Sequence, residues 1–85
     1  MSYGYSAKTI QLNKKADSNR LGVALGRAAI KLGISVADIA VTLKVSRQTV
    51  YNWFVGAYAP KSDVAKDVTR LLNSFNKHIK EAKLK

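Results

Sequence analysis

Two serines, Ser35 and Ser46, most constrain what this chain can fold into, because each stands where a helix has to begin. Ser35 has Asp38 three residues on, the spacing of a capping box, with Ile34 before the cap and Ile39 inside the helix placed to pack as a hydrophobic staple. The pattern predicts a short helix over 36–43 with Ile39, Ala40 and Leu43 facing inward. Ser46 repeats the device, flanked by Val45 before it and Val50 within, and predicts a helix from Arg47 to about Val55. Only Lys44 and Val45 are left between the two. Helices joined by so tight a turn cross steeply, and the crossing needs a small residue; Ala40 fills that place, enclosed by Ile39, Leu43, Val45, Val50 and Trp53.

Other helices follow from the same periodicity. Leu21, Ala24, Leu25, Ala28 and Leu32 form one apolar stripe, so a helix is expected from about Asn19 to Leu32, capped by Ser18 or Asn19. Gly33 supplies the left-handed residue that ends it, and Ile34 folds back on its last turn. Gly56 stops the helix that contains Trp53, residues 56–60 form a loop, and Ser62 with Asp63 caps a long last helix. The stripe of that helix is Val64, Val68, Leu71, Leu72, Phe75 and Ile79. Asp63 and Asp67 near its start, and Lys80, Lys83 and Lys85 near its end, complement the helix dipole. Phe75 and Ile79 lie beyond what a small core needs, so this distal half is free to meet a second copy.

Before Asp17 no period is sustained, and residues 1–17 are expected to be a basic arm of low order, with Ile10 and Leu12 sharing one side of a short alternating piece. Tyr3 and Tyr5 stand in that arm without a fold context. The expected organisation is therefore an arm (1–17), an all-α domain of four or five helices (18–76) and a basic helical tail (77–85). No strand and no repeat is signalled.

Composition narrows the chemistry. The 85 residues contain 15 Lys and Arg against 5 Asp and Glu, a net charge of +10, which suits a polyanionic partner. Cysteine is absent, so thiolate metal sites, disulfides and a Cys nucleophile are excluded. The single His78 has no second ligand with which to share a metal. The five acids are scattered over caps and helix surfaces, with no paired carboxylates, phosphate-cradling glycine loop or activated nucleophile, so no enzyme and no cofactor is expected. The longest stretch free of charge, Gln48 to Pro60, falls short of the roughly 18 apolar residues of a membrane span. Nor does the N-terminus resemble a signal peptide, and a cytoplasmic chain is expected.

Two short helices, a tight turn, one small residue and five apolar neighbours make a helix-turn-helix, whose second helix enters the major groove of duplex DNA. Over about Asn19 to Leu72 the sequence resembles the lambda-repressor and Cro-like, or Xre-like, family. The string is Ser35-Val-Ala-Asp-Ile-Ala-Val-Thr-Leu-Lys-Val-Ser-Arg-Gln-Thr-Val-Tyr-Asn-Trp-Phe-Val-Gly56, continuing to Pro60. Trp53, Gly56 and Pro60 stand at the spacing common after that family's recognition helix. Three residues depart from it: Lys44 where the turn usually has Gly, Val36 where a polar DNA-contacting residue is frequent, and Phe54 where Glu is frequent.

The resemblance implies a compact lambda-repressor-like fold and a small sequence-specific regulator of the Cro type, phage- or plasmid-like, which excludes RNA polymerase from a promoter or touches it. Arg47 and Gln48 open the recognition helix; Arg bonds guanine O6 and N7, and Gln bonds adenine N6 and N7. Tyr51 and Asn52, one turn later, suit a thymine methyl or phosphate and an adenine. Ser46, Thr49, Lys44, Tyr58 and Lys61 are expected on phosphates. A homodimer through the C-terminal helix is expected, since one short helix reads few base pairs. Two other readings use the same shape: an accessory factor for recombination or replication, and a protein-interaction module that inhibits host transcription machinery. A membrane-surface role for the tail is disfavoured by its narrow apolar face. Trp53, three residues after Val50, reads as core and not as a base-stacking residue.

Overall fold

The computed structural model describes residues 5–83, in which five helices follow one another and no strand occurs: α1 (Ala7–Lys15), α2 (Leu21–Leu32), α3 (Val36–Leu43), α4 (Arg47–Phe54) and α5 (Ser62–Lys83). Tyr3 and Lys85 lie outside the described residues. The all-α domain expected from the sequence is the one observed.

The paired caps behave as their spacing requires. The Ser35 hydroxyl accepts from the Asp38 amide at 3.1 Å, and the Ser46 hydroxyl accepts from the Thr49 amide at 3.1 Å. At the other ends, Gly33 at φ = 71° lets the Ile34 amide reach back to Ala29 O at 3.0 Å. Lys44, at φ = 59° and ψ = 42°, does the same for α3, with the Val45 amide on Ala40 O at 3.0 Å. Helices α2 and α3 thus end in one motif, of which only the first has glycine at its left-handed position.

The N-terminal arm departs furthest from what its sequence suggests. Residues 7–15, expected to be of low order, form α1, whose cap is a third copy of the serine device: the Ser6 hydroxyl accepts from the Thr9 amide at 3.1 Å. Lys14 and Lys15 then suit the C-terminal end of the dipole. Ile10 leans on the core while Leu12 stays 42% exposed, so the short alternation is incidental. The inward face carries Asn13, 1% exposed, and the apolar bulk comes from Tyr5 ahead of the helix, 4% exposed. A stripe with so few apolar members escapes a periodicity test.

Two boundaries also move. Helix α2 starts at Leu21, with Arg20 at its cap position and no side-chain cap bond, because Asp17 takes the Asn19 amide at 2.9 Å and holds residues 18–20 in a turn. Neither Ser18 nor Asn19 caps it. Ser62 is the first residue of α5 and not its cap; the Lys61 carbonyl accepts from the amides of Val64 and Ala65 at 2.9 and 2.8 Å. Helix α4 ends at Phe54, with Val55 at its C-cap.

The helices stack on α2. Its glycine face receives α4 so closely that a Cβ at Gly22 would stand 2.6 Å from Trp53 Cβ, and one at Gly26 would stand 2.6 Å from Phe54 Cγ. Its other side receives α5 through Val68 and Phe75, both buried, with Val64, Leu71, Leu72 and Ile79 packed beside them. Phe75 and Ile79 therefore complete the chain's own core, each such burial contributing about 1.5–3 kcal/mol when complete. Their expected spare role toward a second copy is not what the fold gives them.

Two outcomes follow from this packing. Gly26→Ala improves helix propensity by about 1 kcal/mol but drives a methyl group into Phe54 and the Asn13 amide. A net destabilisation of about 1–3 kcal/mol is expected in denaturant unfolding, and an unchanged midpoint would contradict the close approach. The Tyr5 phenol, pushed above its ordinary range by burial and secondarily by Tyr51, keeps its proton where the unfolded chain releases it. Its share of stability is complete below about pH 10 and is lost above that. Tyr5→Phe should show a shallower loss of stability from about pH 9 to 11; parallel curves for the two proteins would remove this role.

Candidate nucleic-acid interface

Helix α4 divides into an inner and an outer side because Val50, Trp53 and Phe54 are buried. Arg47 and Gln48, on its first turn, are left exposed. The Gln48 side chain donates through Nε2 to Asn52 Oδ1 at 3.1 Å, so two amides one turn apart are held as a pair along the outer side. Both retain capacity for a further partner, since each amide carries two donors and a two-lone-pair oxygen.

At the helix start, the hydroxyls of Ser46 and Thr49 lie 2.8 Å apart in a mutual hydrogen bond while Ser46 caps the Thr49 amide. The first-turn amides and the dipole of α4 favour an anion there. Past the helix, Asn52 O accepts from the amides of Ala57 at 2.9 Å and Tyr58 at 3.3 Å, which folds the loop back beside α4. That turn makes a groove of about 430 Å³, bordered by Thr49, Asn52, Tyr58 and Lys61, with Val45 and Trp53 also lining it. Tyr58 is 67% exposed at its rim.

The candidate residues are thus gathered, with one weaker than the sequence suggests. Arg47, Gln48, Lys44, Ser46 and Lys61 are exposed, Thr49 and Asn52 half-buried, all on or beside the outer side of α4. Tyr51 is half-buried and packs against the core, so its reach outward is limited. Val36 is buried, 5% exposed, which accounts for an apolar residue at the start of α3. Phe54, where glutamate was the frequent alternative, is fully buried and stacks on Tyr5 with ring centroids 6.0 Å apart.

Charge on this side is uncompensated. Among the described residues the one ion pair is Arg70 with Asp67 at 3.9 Å, on α5, so Lys44, Arg47 and Lys61 are held by no acid. No cluster of His, Asp or Glu among the described residues is placed to hold a metal, and no helix there is long and apolar enough to cross a membrane.

Comparison with known families decides what this arrangement is. A family model described as helix-turn-helix matches residues 25–75, well over half of the chain. The chain belongs to the Cro/C1-type helix-turn-helix family. Searches of curated proteins and of solved structures found no match. This Cro/C1-type domain is a DNA-binding one, and the match takes in α3, the turn, α4 and most of α5 while leaving α1 outside.

What sequence reasoning missed at the site was the support behind it. The Asn13 Nδ2 donates to Phe54 O at 2.7 Å, and Arg20 donates to Gly56 O, both from the segment ahead of the family match. The Gln48 and Asn52 pair, by contrast, was available in the i, i+4 spacing.

The left-handed Lys44 gives a direct check on the turn. An L-residue there carries about 1–2 kcal/mol of strain, of which glycine returns part to the unfolded chain's entropy. Lys44→Gly is expected to raise stability by about 0.5–1 kcal/mol and Lys44→Val to lower it, measured by thermal unfolding. The reverse order would place Lys44 outside the left-handed region.

Proposed function

We propose that the chain is a sequence-specific double-stranded DNA-binding transcriptional regulator of the Cro or repressor type, phage- or plasmid-like, with α4 as its recognition helix in the major groove. The observation that carries this reading is the exposed first turn of α4, where Arg47 and Gln48 stand clear of the core and the Gln48 amide is paired with Asn52. Arg47 matches guanine O6 and N7, and the two amides match adenine N6 and N7. Tyr51, half-buried, is assigned the thymine methyl or phosphate contact nearest the core.

Around that turn, Ser46, Thr49, Lys44, Tyr58 and Lys61 are assigned to phosphates, where they set register without reading sequence. A net charge of +10 releases counterions on binding and makes affinity fall with salt. The action is binding alone, in the cytoplasm, with no catalytic step and no cofactor: occupancy of a promoter excludes RNA polymerase or presents a surface to it. A helix of eight residues reads only a few base pairs, which supports a homodimer on two half-sites, with the C-terminal part of α5 as its contact. Phe75 and Ile79 are engaged in the chain's own core and leave that contact to the outer residues of α5.

The test compares two variants on selected and random duplexes over a salt series. Arg47→Ala should cost about 1–3 kcal/mol on the selected duplex and little on random DNA. Lys44→Ala should weaken both alike and lower the salt slope by about one unit. Equal losses for both variants on both duplexes would remove the base-contact assignment, and binding without salt dependence would favour a protein-interaction module instead.

A further inference from the structure

The last four carbonyls of α4 have no partner within the helix and must find one outside it. Three are met by the turn that follows: Tyr51 O accepts from the Val55 amide at 3.1 Å, Asn52 O from Ala57 and Tyr58, and Trp53 O from Gly56 at 3.2 Å. The fourth, Phe54 O, accepts from Asn13 Nδ2 at 2.7 Å. The same Nδ2 donates to Val23 O at 3.2 Å, so one buried amide ties the end of α4 to α2. Asn13 is the one buried polar side chain among the described residues, and it lies outside the segment that matches the family.

Two more side chains from the same stretch act at the same place. The Tyr5 ring stacks on Phe54 at an interplanar angle of 26°, and its hydroxyl donates to Ile34 O, in the turn between α2 and α3, at 2.7 Å. Arg20 donates to Gly56 O, just past α4. Arg27 in turn holds α1 against α2, donating to Asn13 O at 3.0 Å and to Lys14 O at 3.2 Å.

We propose that residues 5–20 are a brace for the recognition helix: Tyr5, Asn13 and Arg20 fix the C-terminal end of α4 and thereby the position of Arg47 and Gln48 at its other end. The proposal rests on α4 being the recognition helix, and Asn13 is its principal positioning residue. The geometry sets the scale. Eight residues make a rod about 12 Å long, so a tilt of about 5° at the anchored end moves the first turn by about 1 Å, against a tolerance of about 0.5 Å for productive side-chain contacts. Random-duplex binding, which needs only charge near phosphates, tolerates such a shift.

The test uses the full chain and three variants at a temperature where each is folded by circular dichroism. Asn13→Leu keeps the branched shape and the number of heavy atoms and removes the donors; Arg20→Ala, on an exposed residue, serves if Asn13→Leu does not fold; Val68→Ala is a destabilised control elsewhere in the core. Amide hydrogen exchange should accelerate in residues 50–58 relative to 66–76 for Asn13→Leu and Arg20→Ala, and not for Val68→Ala. The ratio of selected to random duplex affinity should fall about tenfold for Asn13→Leu, less for Arg20→Ala, and stay unchanged for Val68→Ala. Exchange that rises uniformly along the chain, or an unaltered affinity ratio, overturns the brace. If the native chain distinguishes no duplex, the proposed function fails by itself, and selective exchange in α4 still decides whether the segment holds that helix.

Discussion

With hydrogen in place of a side chain at Gly22 and Gly26, α4 lies against α2 at a distance no other residue allows, 2.6 Å from where a Cβ would stand to Trp53 and Phe54. Interiors packed to this density transmit a change of one methyl group. The placement of α4 decides which residues are available outside: once Val50, Trp53 and Phe54 are turned inward, Gln48 faces away from them, and Arg47, the first residue of the helix, stands exposed at its start. Helix α5 then covers the remaining side of α2 with Val68 and Phe75, and the left-handed turn at Lys44 carries the chain from α3 into α4. One close contact between two helices thus orders both the core and the candidate surface on α4.

That surface combines two kinds of interaction that physical chemistry keeps separate. Lys44 and Lys61, with the hydroxyls and amides at the start of α4, suit a uniform line of phosphates, an attraction that salt weakens. Arg47 and the Gln48–Asn52 pair carry directional donors and acceptors, which discriminate only when held in place. Holding them is a task for the far end of the helix. The Asn13 amide on Phe54 O and the Tyr5 ring on Phe54 supply what a helix-turn-helix segment of residues 25–75 does not contain.

What could be read in the sequence is what depends on neighbours a few residues apart. The caps at Ser35 and Ser46, the stops at Gly33 and Gly56, and the outward direction of Arg47 and Gln48 are local consequences of spacing, and the structure has them where the spacing puts them. Helix α1 was hidden because its fit depends on a partner far along the chain: Asn13 looks like a loop residue until Phe54 O is beside it. Phe75 and Ile79 looked spare for a related reason, since the length of α2 available to α5 is not written in the stripe of α5. Which residues close on Gly22 and Gly26 was likewise invisible, because a missing side chain does not name what packs on it. At the candidate site, residue types and exposure were legible, whereas the half-burial of Tyr51 and the loop that brings Tyr58 and Lys61 beside Asn52 required the fold.

In the proposed function this domain reads duplex sequence through α4. The most direct measurement is selection of bound duplexes from a random library at physiological salt, followed by sequencing. Enrichment of a palindrome with half-sites about one helical turn apart, roughly 10 base pairs, is the predicted result. Binding that enriches no sequence would contradict it.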